Sequence, residues 1–167
     1  NNDGIVRQLG GFFTTEYRTA LINAYINTSV SQTSYKRKDY FVDEALPYNV
    51  ANGIKRETDW ENFTGFTVKT GANYNISSVF NVYANAGYLS KAPLFQPVFN
   101  NINKATKDIK NETIQAFELG TGYNTRLISV NANVYYTEWK DKTYRRNYTL
   151  KDETGQSIVY NYLLKGI

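Results

Sequence analysis

The chain has 167 residues and a net charge of +4, and 16% of it is aromatic, led by 15 Tyr. Cys, Met and His are all absent, which removes disulfides, thiolate and imidazole metal sites, and every nucleophilic arrangement that needs Cys or His. The mean hydropathy of −0.53 excludes a membrane helix, which needs a run of about 18 apolar residues, but not a membrane strand, whose alternate positions alone face lipid.

The chain opens Asn1-Asn2-Asp3-Gly4 with neither a basic nor an apolar leader segment. A removed signal or an internal piece of a longer chain are both expected from this. The first strict alternation follows: Gly11, Phe13, Thr15 and Tyr17 lead to a turn near Arg18-Thr19. On the return, Ile22, Ala24, Ile26, Thr28 and Val30 alternate with Asn23, Tyr25, Asn27, Ser29 and Ser31. Successive strand side chains point to opposite faces, so this hairpin has one apolar and one amide-rich face.

Roughly from Lys36 to Phe63 the pattern lapses into a long polar, aromatic-rich connection. The basic cluster Lys36-Arg37-Lys38 falls there, and a second, Arg145-Arg146, falls in a later connection. Scattered cations of this kind argue against nucleic acid as a partner. A solvated loop is the bland reading of both clusters, and contact with anionic lipopolysaccharide the sharper one.

Two further hairpins repeat the design. Phe66, Val68, Thr70, Ala72, Tyr74 and Ile76 alternate with Thr67, Lys69, Gly71, Asn73 and Asn75. After Ser77-Ser78, Phe80, Val82, Ala84, Ala86 and Tyr88 alternate with Asn81, Tyr83, Asn85, Gly87 and Leu89. A connection from Lys91 to Glu112 precedes the third pair. There Phe117, Leu119, Thr121 and Tyr123 oppose Ala116, Glu118, Gly120 and Gly122, and a turn lies at Asn124-Thr125-Arg126. Ile128, Val130, Ala132, Val134 and Tyr136 then return against Asn131, Asn133 and Tyr135. A seventh strand is expected from near Ser157 toward Lys165, after a connection spanning Lys140 to Gln156.

Short turns at one end and long loops at the other are the asymmetry of outer-membrane barrels. The expected fold is therefore all-β, an antiparallel transmembrane β-barrel segment of about seven strands. Its Asn/Gly face would line a wet lumen, with Lys69, Asn73, Asn85, Glu118 and Asn133 directed inward. Seven strands leave two edges whose unpaired N–H and C=O groups cost several kcal/mol each in lipid, so a larger barrel is required. A soluble antiparallel β-sandwich binding module alternates in the same way and stays open as an alternative.

Four ordered segments resemble the barrel of TonB-dependent receptors. Phe80 to Pro93 (FNVYANAGYLSKAP) is similar to a late-barrel strand ending in an Ala-Pro corner. Lys110-Asn111-Glu112 with Phe117 to Tyr123 (FELGTGY), Ser129 to Asp141 (SVNANVYYTEWKD) and Leu164 to Ile167 (LKGI) resemble the strands that follow it. Ser34 to Phe41 (SYKRKDYF) is similar to a strand end in receptors with a carboxypeptidase-regulatory-like N-terminal domain.

The resemblance implies that residues 1–167 are part of the C-terminal half of a barrel of about 22 strands, located in the bacterial outer membrane. The plug and the remaining strands would lie elsewhere. It implies energised uptake of a scarce ligand: a siderophore, glycan, peptide or cobalamin. Expected partners are outer-membrane lipid and lipopolysaccharide, the receptor's own plug domain, the TonB complex and a surface lipoprotein. By position, the loop residues expected to hold ligand are Tyr48, Trp60, Phe95, Phe99, Trp139, Tyr144, Arg145 and Arg146, with the inward residues named above contacting ligand or plug. No catalytic residue, metal or cofactor is expected, and the protein reads as a non-enzyme. A plugless barrel, or an accessory or adhesin subunit of an outer-membrane complex, is the alternative function.

Overall fold

The computed structural model describes residues 2–151 and 157–164, and the side chains of 2–143. Eight strands and two short helical turns follow in the order β1 (Asn2–Arg18), β2 (Ile22–Asp39), α1 (Pro47–Ala51), β3 (Glu61–Asn75), β4 (Phe80–Lys91), α2 (Phe95–Val98), β5 (Glu112–Asn124), β6 (Ser129–Lys140), β7 (Tyr144–Lys151) and β8 (Ser157–Leu164). The first six strands make one antiparallel sheet whose spatial order is the chain order, and β7 and β8 pair in a separate two-stranded sheet.

The register keeps the two faces apart. Tyr17, Ala24, Ala72, Ala84, Leu119 and Val134 align across all six strands on one face. One step away, Glu16, Tyr25, Gly71, Asn85, Glu118 and Tyr135 align on the other. The apolar face is open: Phe13, Val30, Leu119, Val134 and Tyr136 are all exposed.

Three hairpin turns share one chemistry. Thr19, Ser77 and Thr125 each accept, through the side-chain hydroxyl, the backbone N–H three residues on, at 2.9, 3.1 and 3.0 Å. Each also donates its own N–H to that residue's carbonyl, at 2.7, 3.0 and 2.8 Å. A hydroxyl closing a tight turn is a strong local signal. The turns are linked to the next hairpin as well, since Asn75 N–H donates to Leu21 and Asn124 N–H to Val79, both at 2.8 Å.

The opposite end is built differently. There the two long loops fold onto the polar face and make the small core of Tyr35, Val98 and Phe99, with Phe63, Ala92, Phe95 and Ile109 packed around it. Tyr35 meets Phe63 at 5.8 Å and Phe95 edge-on at 5.5 Å between ring centroids. Its hydroxyl donates to the Pro93 carbonyl at 2.9 Å. Burial, with the Glu112 carboxylate second, pushes this hydroxyl's pKa above the usual tyrosine value. Gly4 lets β1 pass beneath the loop, because a Cβ there would lie 2.9 Å from the Phe95 ring.

Several expectations are corrected here. The described residues do not form a closed barrel of about 22 strands: six strands make an open sheet with β1 and β6 at its ends, unpaired with one another. The expected count of about seven strands becomes eight. Residues 144–151, expected in a connection, pair with 157–164 instead. The first hairpin is also longer than its clean alternation, reaching back to Asn2 and on to Asp39, so Lys36-Arg37-Lys38 lies in a strand rather than a loop.

Candidate functional site

On the polar face, Glu118 is the hub. Its Oε1 accepts from Asn133 Nδ2 at 2.5 Å and from the Tyr83 hydroxyl at 3.4 Å, and its Oε2 accepts from Asn85 Nδ2 at 3.0 Å. Asn85 Oδ1 in turn accepts from the Tyr25 hydroxyl at 3.2 Å. One carboxylate thus joins side chains from β2, β4, β5 and β6. Two glycines make the space: a Cβ at Gly71 would lie 2.6 Å from the Tyr25 ring, and one at Gly120 would lie 2.3 Å from Tyr83 Cζ.

The Asn133, Asn85 and Tyr83 donors hold the Glu118 carboxyl below its ordinary value, Asn133 contributing most, and outweigh the opposing loss of hydration. A carboxyl whose folded pKa is lowered stabilises the fold fully above its unfolded value, and that stabilisation is lost as pH falls through the lower folded one. The wild type is therefore expected to lose stability below about pH 4, with a steeper acid limb than Glu118→Gln. Parallel acid-unfolding curves in the two proteins would count against this.

Beside the hub lies a groove of about 450 Å³ lined by Tyr25, Lys69, Asn85, Leu89, Glu118 and Tyr135. A smaller one of about 230 Å³ adjoins it at Asn23, Asn73 and Tyr83. Asn73 also accepts a hydrogen bond from Asn81 and donates to Asn75. The five residues expected to face inward, Lys69, Asn73, Asn85, Glu118 and Asn133, therefore share one face with these grooves. The tyrosines Tyr25, Tyr83 and Tyr135 were not among the expected site residues, although they occupy the same alternate positions as the asparagines.

The loop residues scatter. Phe99 is fully buried and Phe95 packs on Tyr35, so both belong to the core. Trp60 lies under the Arg7 guanidinium at 4.4 Å, with the Lys36 ammonium at 6.0 Å. Trp139 lies between Lys142 at 4.3 Å and Lys91 at 5.7 Å. Tyr48 is exposed on α1. Tyr144, Arg145 and Arg146 begin β7, and their side chains lie outside the described residues.

Arg37 carries a role its place in a basic cluster conceals. Alternation along β2 turns it to the polar face, where it is buried, while Lys36 and Lys38 on the other face pair with Glu57 at 2.7 and 3.2 Å. Its Nε donates to Asn103 Oδ1 and its Nη2 to the Asn100 carbonyl, both at 2.6 Å. Asn103 in turn donates to the Lys55 and Arg56 carbonyls at 2.8 Å. The two long loops are thereby clamped together.

Residues 4–163 match the family described as TonB dependent receptor-like, beta-barrel. The chain belongs to this family. No curated protein and no solved structure matches it.

Membership covers the strand pattern, and the sheet corrects what the resemblance implied beyond it. The described residues form an open sheet, not the closed wall of a TonB-dependent transporter or a sealed lumen through which energised uptake could run. The expected outer-membrane location is corrected as far as the structure goes: the described residues form an open sheet and no closed, membrane-spanning barrel. No described helix is long and apolar enough to cross a membrane.

Proposed function

We propose that the chain is a non-catalytic binding module that recognises a polar ligand on the hydrogen-bonding face of its sheet. The observation that carries this reading is the Glu118 hub beside a groove of about 450 Å³. Preorganised amides and hydroxyls fix a ligand's orientation, and tyrosine rings supply apolar area with a polar rim. Tyr135 supports it further, since its ring stands 79% exposed on this otherwise amide-rich face.

The opposite face favours one form of this reading, in which the module works as an accessory subunit of a larger assembly. It presents an apolar trough of about 640 Å³ over Ala24, Ala72 and Ala84. Contiguous exposed apolar surface marks an interaction face, and Phe117, Leu119, Val134 and Tyr136 are all exposed around this trough.

Tyr135 and Tyr136 give a test within one dipeptide, because they point to opposite faces. Neutral oligosaccharides, amino-acid amides and short peptides would be screened by saturation-transfer NMR on the whole chain. Tyr135→Ala is expected to weaken any hit about tenfold, the equivalent of ~1.4 kcal/mol, and Tyr136→Ala to leave it unchanged. Equal loss in both variants, or no hit at all, overturns the proposal.

A further inference from the structure

β3 is longer than its pairing with β4. It pairs with β2 from Glu61 onward, but with β4 only from Phe66 to Asn75. Gly65 marks where β4 departs, since a Cβ there would lie 2.7 Å from the Ser90 carbonyl oxygen. Beyond it, one edge of β3 faces the returning loop instead of a strand.

Asn111 touches that edge once, its Nδ2 donating to the Thr64 carbonyl at 2.7 Å and to the Ser90 hydroxyl at 3.0 Å. The Thr64 carbonyl thus points away from β2. Backbone groups of alternate strand residues point the same way, so the N–H and C=O of Asn62 face the same side. Between this edge and the loop lies a slot of about 470 Å³, walled by Glu61, Thr64, Val98, Thr106, Asp108 and Lys110. Thr106 lines it, and its hydroxyl oxygen is shut off from solvent without a hydrogen-bond partner among the described residues. Buried polar atoms without partners are rare, and a turn of the Thr106 side chain about χ1 would bring this hydroxyl into the slot, where a ligand can satisfy it.

We propose that this slot binds a short extended peptide segment, paired to the edge of β3 at Asn62 and hydrogen-bonded to Thr106. Strand addition needs an open edge and a bounded channel, and the slot offers both. Three residues of strand span roughly 10 Å. Glu61 and Asp108 on the walls with Lys110 suit a segment carrying both signs of charge. The site is separate from the Glu118 face, and neither reading depends on the other.

The test uses the whole chain and the uncharged probe acetyl-trialanine N-methylamide, followed by amide chemical shifts. Shifts at Asn62, Thr64 and Asn111 are expected, with the Glu118 face unmoved. A probe methylated on its central nitrogen should bind about tenfold more weakly, as should the native probe to Thr106→Val, each the loss of one hydrogen bond. Asn62→Pro, which removes the edge N–H, should abolish binding. If Asn62→Pro does not fold, Thr106→Val and the methylated probe decide the matter alone. Equal binding of both probes, undiminished binding to Thr106→Val, or shifts confined to the Glu118 face overturns the proposal.

Discussion

Arg37→Ala is expected to lower stability by about 3 kcal/mol, because two hydrogen bonds to a charged group are lost from a buried site. The larger effect should be local. With the guanidinium gone, Asn103 keeps its contacts to Lys55 and Arg56 but loses the β2 residue that anchors it. Asn103 sits at φ 55°, a left-handed conformation held in place by such surroundings. Hydrogen exchange of residues 40–60 and 92–111 should therefore accelerate together, while β4 and β5 stay protected. Arg37→Lys should fall between, since an ammonium keeps the charge but not the planar fork. Independent acceleration of the two loops would show that the clamp does not couple them.

The second large effect is expected at Gly120. A valine there must displace the Tyr83 ring, an overpacking change of about 1 to 3 kcal/mol. Tyr83 also donates to Glu118, so the carboxyl pKa should rise toward its ordinary value. Gly11 supplies the control: a Cβ there meets nothing within 4 Å, so Gly11→Val should be neutral or slightly stabilising. Denaturant midpoints and the NMR titration of Glu118 report both effects. If the two valine variants behave alike, the packing assigned to Tyr83 is wrong.

These two residues also show what the sequence makes legible. Alternation from Phe66 to Tyr88 and from Phe117 to Tyr136 places four strands and both faces, because a period of two has one structural meaning over ten residues. Alternation alone makes the first strand too short, because Gly10-Gly11 and the mixed residues before them break the pattern that pairing with β2 nonetheless imposes. Arg37 sits in the sequence as part of a basic cluster whose bland reading is a solvated loop. Extending the β2 alternation six residues past Ser31 puts it on the polar face, yet its burial comes from a loop some sixty residues away. No local pattern carries that contact. The same holds for Phe95 and Phe99, whose aromatic character fits ligand stacking and core packing equally until the loop is seen to fold inward. Closure was likewise beyond the pattern, since alternation fixes which way side chains point and not whether the end strands meet.

The three hydroxyl-closed turns bear on how the sheet is made. Each turn needs only four consecutive residues, and every pairing in the six-stranded sheet joins neighbours in the chain. Loop closure is least demanding for contacts close in sequence, so hairpins can zip from their turns within microseconds, before the long connections order. Since Asn75 and Asn124 bond the preceding turn, each finished hairpin presents a docking point for the next. Assembly should then spread sideways one hairpin at a time, and the Arg37 clamp would form last.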